Sequence, residues 1–345
     1  MARQVTLAMV GFGNVGRAFA RLLLRKQPEL LKQFGWQVIV TGIVTGRHGA
    51  AINPGGINLN HALELSERGQ SLNVLSAQPV PQSTLDFLYA SSAEVMIETS
   101  PVNHLTGQPA IDHIKAALQK GMHAITANKG PVVHAYKELT EMAATRGKRF
   151  LFEAAVMDGA PIFSLFRGPL PAVNLLGFRG ILNSTTNFIL GEMEQGRTFE
   201  DAVRQAQAIG IAETDPSADV DGWDAAIKVA ALVTVLMGIP LKPQEVERQG
   251  IRDLTPEQIA EARAAGERWK LVCTARRQGD LLLEARVRPE RVSADSPLYA
   301  IGGTSSYVEF QLDVLPGLGI VESNPGPETT AYGLLADLIN VLRNQ

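Results

Sequence analysis

The chain of 345 residues contains one cysteine, Cys273, so no internal disulfide can form and a reducing cytoplasm is the expected compartment. No uncharged apolar run approaches the roughly 18 residues that mark a membrane span. The start, MARQVTLAMVGFG, reads as strand and turn and lacks the apolar region and cleavage site of a signal peptide. Neither sign of charge is in excess. Lys and Arg number 32 against 35 Asp and Glu, a net charge of −3, which points to neither nucleic acid nor a membrane surface as partner. The six histidines form no metal-type cluster, and no Ser-His-Asp set stands out. Repeats and low-complexity segments are also missing. What remains is an ordinary globular composition, 45% apolar, in a chain long enough for two domains.

The first domain opens on a strand, Val5–Val10, that runs into Gly11-Phe12-Gly13-Asn14-Val15-Gly16 and an amphipathic helix from Val15 to about Lys26. Strand, G-x-G-x-x-G and helix together predict dinucleotide binding. The first glycine allows the tight turn, the second lets backbone approach the pyrophosphate, and the third lets helix pack on strand. The second strand, Gln37–Val44, is not followed by the acid that would bind a ribose 2′-hydroxyl. Arg47 follows instead, and its planar fork favours a 2′-phosphate and hence NADP, with NAD still admissible; a solvated surface arginine is the plainer alternative. Strands at Glu94–Glu98 and His123–Thr126 bring Thr99, Ser100 and Lys129 to strand carboxyl ends, where ligands of such sheets bind; a hydroxyl cap on the next turn and a surface lysine at a helix start are the plainer alternatives. A strand is expected over Arg149–Val156 with Glu153 inside it. That glutamate, with carbonyls of the turn around Asp158 to Pro161, suits either a hard cation or a simple hydrogen bond.

The second domain holds the densest chemistry. Asp219, Asp221 and Asp224 follow Glu213 and Asp215 and lead into a helix, Ala225–Met237, that is apolar nearly all round except for Lys228 and Thr234. Asp224 and Lys228 stand four residues apart and so share a helix face. This predicts either a structural ion pair, with Asp221 as N-cap, or a partly buried lysine kept for proton transfer. Hairpin signals at Gln278–Asp280 and a strand from Ser306 complete an α+β pattern. The fold class expected is α/β, a Rossmann-type nucleotide-binding domain (1–150) plus an α+β catalytic and dimerisation domain (151–318). A C-terminal segment and helix (319–345) return to the first. Cys273 lies in an apolar strand and reads as core, which argues against a semialdehyde dehydrogenase that acylates a thiolate.

The stretch Gly210-Ile-Ala-Glu213-Thr-Asp215-Pro-Ser-Ala-Asp219-Val-Asp221-Gly-Trp-Asp224-Ala-Ala-Ile-Lys228 resembles the signature of homoserine dehydrogenase. So do Gly11–Gly16, Thr99-Ser100, Thr126–Lys129, Glu153–Pro161 and Gly180–Asn187, so the resemblance covers nearly the whole chain. It implies reversible NAD(P)H-dependent reduction of L-aspartate 4-semialdehyde to L-homoserine, in the pathway to threonine, methionine and isoleucine, by a homodimer joined through the second-domain sheet. By resemblance, Lys228 exchanges a proton with the substrate oxygen and Lys129 bridges cofactor and substrate. Glu213 and Asp224 hold the amino group, Asp219 supports them, and Thr185 contacts substrate. Glu153, Val156, Asp158 and Ala160 surround a sodium ion, the last three through carbonyls, and Gly210 and Gly326 lie near the cofactor. Ser184 departs from the family's Asn-Gly-Thr-Thr-Asn, and a serine there is strained if the backbone has φ > 0. The match is to the short form without a C-terminal regulatory domain, so insensitivity to threonine is expected. The alternatives are another amino-acid or semialdehyde reductase, or an inactive NAD(P)-binding regulator that would not need both lysines.

Overall fold

The computed structural model describes residues 2–343, which form two compact units, 2–161 with 326–343, and 162–325. The first unit alternates strand and helix: β1 (Arg3–Val10), α1 (Asn14–Phe34), β2 (Trp36–Val44), β3 (Ala50–Ile52), α2 (Leu59–Glu67), α3 (Thr84–Ala90), β4 (Val95–Glu98), α4 (Ala110–Gln119), β5 (His123–Thr126), α5 (Lys129–His134), α6 (Tyr136–Thr145) and β6 (Phe150–Leu151). Its sheet has the order β3-β2-β1-β4-β5-β6, parallel except for the β2–β3 pair. The chain leaves β1 toward β2 on one side and later returns to β4 on the other. The crevice of such a sheet therefore opens beyond the carboxyl ends of β1 and β4, where Gly11 and Thr99 stand.

The second unit contains α7 (Ile162–Arg167), β7 (Leu175–Ile181), α8 (Ser184–Glu194), α9 (Phe199–Ala208), α10 (Ser217–Val220), α11 (Trp223–Leu232), β8 (Glu247–Arg248), α12 (Pro256–Ala264), β9 (Arg268–Gln278), β10 (Leu281–Val292), β11 (Ser306–Leu312) and β12 (Leu318–Glu322). Its sheet has the order β12-β11-β7-β9-β10-β8, antiparallel but for the short β8–β10 pair. The last helix, α13 (Pro327–Arg343), belongs to the first unit, where Leu334, Leu335, Leu338 and Val341 share a core with Phe19, Leu22 and Leu23 of α1.

Local chemistry explains most element ends. Thr198 caps α9 by accepting from Asp201 N, and Thr255 forms a capping box with Gln258 around Pro256 at the start of α12. Three expectations from sequence are corrected. Helix α1 runs past Pro28 to Phe34, because its buried face, including Phe19, Leu22, Leu23 and Leu30, outweighs the lost N–H, and Gly35 at φ 70° closes it. Glu153 lies in a 3₁₀ turn, Glu153–Ala155, and not in a strand: its N–H donates to Asp337 Oδ2 of α13 at 2.6 Å instead of to a neighbouring strand. Helix α11 starts at Trp223 behind Gly222, which has φ 79°, so Asp221 is not the N-cap, and a π-helical turn, Val233–Met237, follows.

The unit boundaries also fall later than the sequence suggested, at 161/162 and 325/326. The Glu153 turn is tied to α13, which keeps it in the first unit. Strand β12 pairs with β11, which keeps it in the second.

Candidate active site

In the first unit the glycine turn leaves no room for side chains on its inner side. Gly11 has φ +95°, and a Cβ there would come within 2.7 Å of the Thr99 backbone; one at Gly16 would come within 2.6 Å of the Gly11 carbonyl. Gly13 has open space around it and is the N-cap of α1, with no side chain capping the helix. The first-turn N–H groups of a 21-residue helix thus face an uncapped end, which fits a pyrophosphate. Phe12 is buried, Val15 packs on the core, and Asn14 Oδ1 accepts from Arg17 at 2.9 Å.

Thr99 Oγ1 donates to the Gly11 carbonyl at 3.1 Å, which locks the turn to the end of β4. Behind it sits a group that sequence reasoning missed. Glu98 is fully buried, and its carboxylate accepts from Ser100 N at 2.9 Å, from the Ser100 hydroxyl, and from Thr126 Oγ1 at 2.7 Å. Asn128 extends this network: its N–H donates to Thr126 Oγ1 at 2.9 Å, and its side chain donates to the Ser100 and Pro101 carbonyls. Asn128 Oδ1 also accepts from Gly130 N, capping α5, so Lys129 is placed at the first residue of that helix by a buried scaffold. Arg47 stands exposed at the tip of a turn after β2 in which Thr45 Oγ1 accepts from the 47 and 48 N–H groups. Gly326 N donates to Thr329 Oγ1 at 2.8 Å at the entry to α13.

The turn that follows the Glu153 segment carries two non-glycine residues in the left-handed region, Met157 at φ 53° and Asp158 at φ 48°. Glu153, Val156 and Ala160 are buried, and the Asp158 side chain accepts from Thr330 Oγ1. Among the described residues no group of three or more His, Cys, Asp or Glu side chains is arranged to hold a metal. Any ion here would therefore rely on one carboxylate and backbone oxygens, a donor set that suits a hard cation.

The second unit brings four of the named residues together. Lys228 Nζ lies 3.0 Å from Asp224 Oδ2 and donates to the Leu182 carbonyl, just after β7, at 2.6 Å. Asn183 Nδ2 donates to Asp219 Oδ1 at 2.6 Å and to Asp224 Oδ2 at 3.0 Å. Thr185 is buried at the start of α8, where its hydroxyl donates to the Ile211 carbonyl at 3.0 Å. Burial, and then the charge of Asp224, pushes the Asp219 carboxyl up to about 6. Asp221 is drawn away by Arg252, while Arg248 donates to its carbonyl and stacks 3.8 Å over Trp223. Glu213 is not brought into this cluster. It is exposed, and its carbonyl accepts from Gln207 at 3.1 Å. Gly210 has φ +77° and terminates α9. Ser184 is the first residue of α8 and is not among the positive-φ positions, so the side chain costs no backbone strain. Cys273 is fully buried in β9, and burial pushes its thiol up to about 12.

These acids and one lysine can hold an ammonium-bearing substrate and move a proton, and the glycine turn can hold a dinucleotide. Among the described residues no helix is long and apolar enough to cross a membrane. The family model described as homoserine dehydrogenase matches residues 161–339, and that described as homoserine dehydrogenase, NAD binding domain matches residues 11–153. An NAD(+)-dependent homoserine dehydrogenase of Pseudomonas canavaninivorans is 34% identical over 97% of this chain and 95% of its own length. The homoserine dehydrogenase of Methanocaldococcus jannaschii is 36% identical over 97% and 98%. A solved hyperthermophilic archaeal homoserine dehydrogenase in complex with NADPH superposes with a TM-score of 0.84 at 28% identity, covering 99% of both chains. With a glycine turn, a Lys-Asp helix and both halves matched by the same family, the chain belongs to the homoserine dehydrogenases.

Proposed function

We propose that this protein interconverts L-homoserine and L-aspartate 4-semialdehyde, with NADP as preferred dinucleotide, in the biosynthesis of aspartate-derived amino acids in the cytoplasm. The observation that carries the reading is the Lys228–Asp224 pair backed by Asp219 through Asn183. When bound, the nicotinamide supplies the hydride donor or acceptor. The Gly11–Gly16 turn and the α1 N-terminus hold the pyrophosphate, Thr99 and Ser100 line the crevice end of β4, and Lys129, the first residue of α5, is proposed to bridge cofactor and substrate. Lys228 gives a proton to the aldehyde oxygen in reduction and takes one from the homoserine hydroxyl in oxidation. Asp224 holds the substrate ammonium, Asp219 steadies Asp224, and Thr185 orients the substrate.

Arg47 supports NADP, since its exposed guanidinium follows β2 where an acid would have read the ribose. NADPH in the archaeal relative accords with this, whereas the Pseudomonas relative is NAD(+)-dependent, so the two cofactors need direct comparison. A sodium ion held by Glu153 and the carbonyls of Val156, Asp158 and Ala160 is proposed on the oxygen-only donor set. Gly210 and Gly326 are proposed to lie near the cofactor. A homodimer through the second-unit sheet is supported by the exposed apolar side chains of Leu176, Leu281, Leu283 and Val321 on its strands, and light scattering tests it.

The deciding assay is the appearance of reduced-nicotinamide absorbance when homoserine is added with NADP or NAD. A homoserine-dependent signal, larger with NADP at subsaturating cofactor, is expected. Its absence with both would overturn the activity.

A further inference from the structure

Asn183 carries more of the acid–lysine geometry than a helix cap requires. It is 3% exposed, and every polar atom of its side chain is used. Oδ1 accepts from Thr186 N and Thr186 Oγ1, both at 2.8 Å, which caps α8. Nδ2 has two hydrogens, one for Asp219 Oδ1 and one for Asp224 Oδ2. The Asp224 oxygen it binds is the one that faces Lys228 Nζ. A neutral amide therefore bridges two carboxylates that would otherwise repel each other, and it fixes the oxygen that pairs with the lysine.

We propose that Asn183 is a positioning residue for Lys228: its two N–H donors hold Asp219 and Asp224 in a fixed pair, and through Asp224 they set the orientation and protonation of the lysine. This rests on the activity proposed above. The bridge needs a group that donates twice and carries no charge. Aspartate has the same shape but no donor and a negative charge; serine is neutral but too short to reach both acids. The titratable groups around the bridge are Asp219 from α10, Asp224 and Lys228 from α11, and Cys273 from β9, whose thiol stays neutral with its ionisation at about 12. The remaining groups, Thr185 and Thr186, are hydroxyls. A charge introduced at position 183 would thus be felt by the two acids and the lysine.

The capping role and the positioning role separate cleanly. Asn, Asp and Ser are all good N-caps, so Asn183→Asp and Asn183→Ser keep α8 while removing the double donor. In the full-length protein, Asn183→Asp is expected to lower kcat for homoserine oxidation at least tenfold. A third carboxylate raises the proton affinity of its neighbours, so the rising limb of the kcat–pH profile should move up by roughly one unit or more. Asn183→Ser should lower kcat without that displacement. Dinucleotide binding should be unchanged in both, since the glycine turn is untouched. A folded Asn183→Asp protein with wild-type kcat and pH profile would overturn the proposal and leave Asn183 a helix cap. If wild type itself shows no homoserine-dependent activity, the proposed function has failed separately. Carboxyl ¹³C titration then decides the positioning claim: Asp219 and Asp224 should titrate higher in Asn183→Asp than in wild type, and unchanged titration would overturn it.

Discussion

Lys228 Nζ and Asp224 Oδ2 stand 3.0 Å apart, one turn from each other on α11, with the lysine side chain still 15% exposed. An ammonium largely sunk in the middle of a mostly apolar helix is held by Asp224 and by the Leu182 carbonyl. General acid–base catalysis contributes about 10²–10⁴-fold, so Lys228→Ala should lower kcat by that order while NADPH titrates as in wild type. Asp224→Ala removes a partner of both the lysine and the substrate ammonium, so KM should rise as kcat falls. Steady-state kinetics beside thermal unfolding separates the readings. A Lys228→Ala protein of normal kcat and reduced Tm would make the pair purely structural.

The parts of this site that the sequence displayed are those governed by neighbours in the chain. The glycine turn, the strand His123–Thr126 and the four-residue spacing of Asp224 and Lys228 all depend on residues within a turn or two. The parts it hid depend on distant partners. Glu98 looks like the end of a short strand, and nothing local announces that Thr126 will share its charge. Lys270 sits 1% exposed in β9 because Asn187 Oδ1, at 2.9 Å, and the Ile301 carbonyl receive its ammonium, and burial lowers its pKa to about 8. Asn183 was visible only as a member of a motif; its bridging role required α10 and α11 to fold against it. Glu153 was misplaced because an apolar run reads as strand whether its N–H groups meet a neighbouring strand or, as here, an aspartate of α13.

Cofactor choice is tested at Arg47. Its guanidinium is exposed at the tip of a short turn, so replacement perturbs no core packing. Arg47→Asp should weaken NADPH at least tenfold more than NADH, as the new carboxylate repels a 2′-phosphate but can accept from a ribose hydroxyl. Fluorescence titration of both reduced dinucleotides measures this. Equal weakening of the two would show that Arg47 does not read the 2′-phosphate.

The thiol of Cys273 gives a prediction of inertness. It is fully buried, with its ionisation pushed up to about 12, first by desolvation. A thiol reagent should label no cysteine in the native protein at pH 8 and one per chain after denaturation, with activity unaffected by the native treatment. Rapid native labelling with loss of activity would reopen thiolate chemistry.

Asp219 gives the pH dependence of stability. Its carboxyl is raised from 3.8 to about 6, burial being the larger cause and the Asp224 charge the next. Because the folded-state pKa lies above the unfolded one, the native protein binds more protons between these values. The contribution of this group to stability therefore falls as pH rises from about 4 through 6, and above that the full cost of the buried charge is present. Asp219→Asn keeps the shape and an oxygen to accept from Asn183 Nδ2, but never ionises. The variant should unfold close to wild type at pH 4 and a few degrees higher than wild type at pH 7.5, on the order of 1 kcal/mol or more. Calorimetry of both proteins at the two pH values reads the difference between differences, so titrations common to both cancel. A Tm difference that is the same at pH 4 and pH 7.5, or a variant less stable at the higher pH, would mean that Asp219 is ionised at no cost in the folded chain and that the Asn183 bridge and Lys228 together neutralise it.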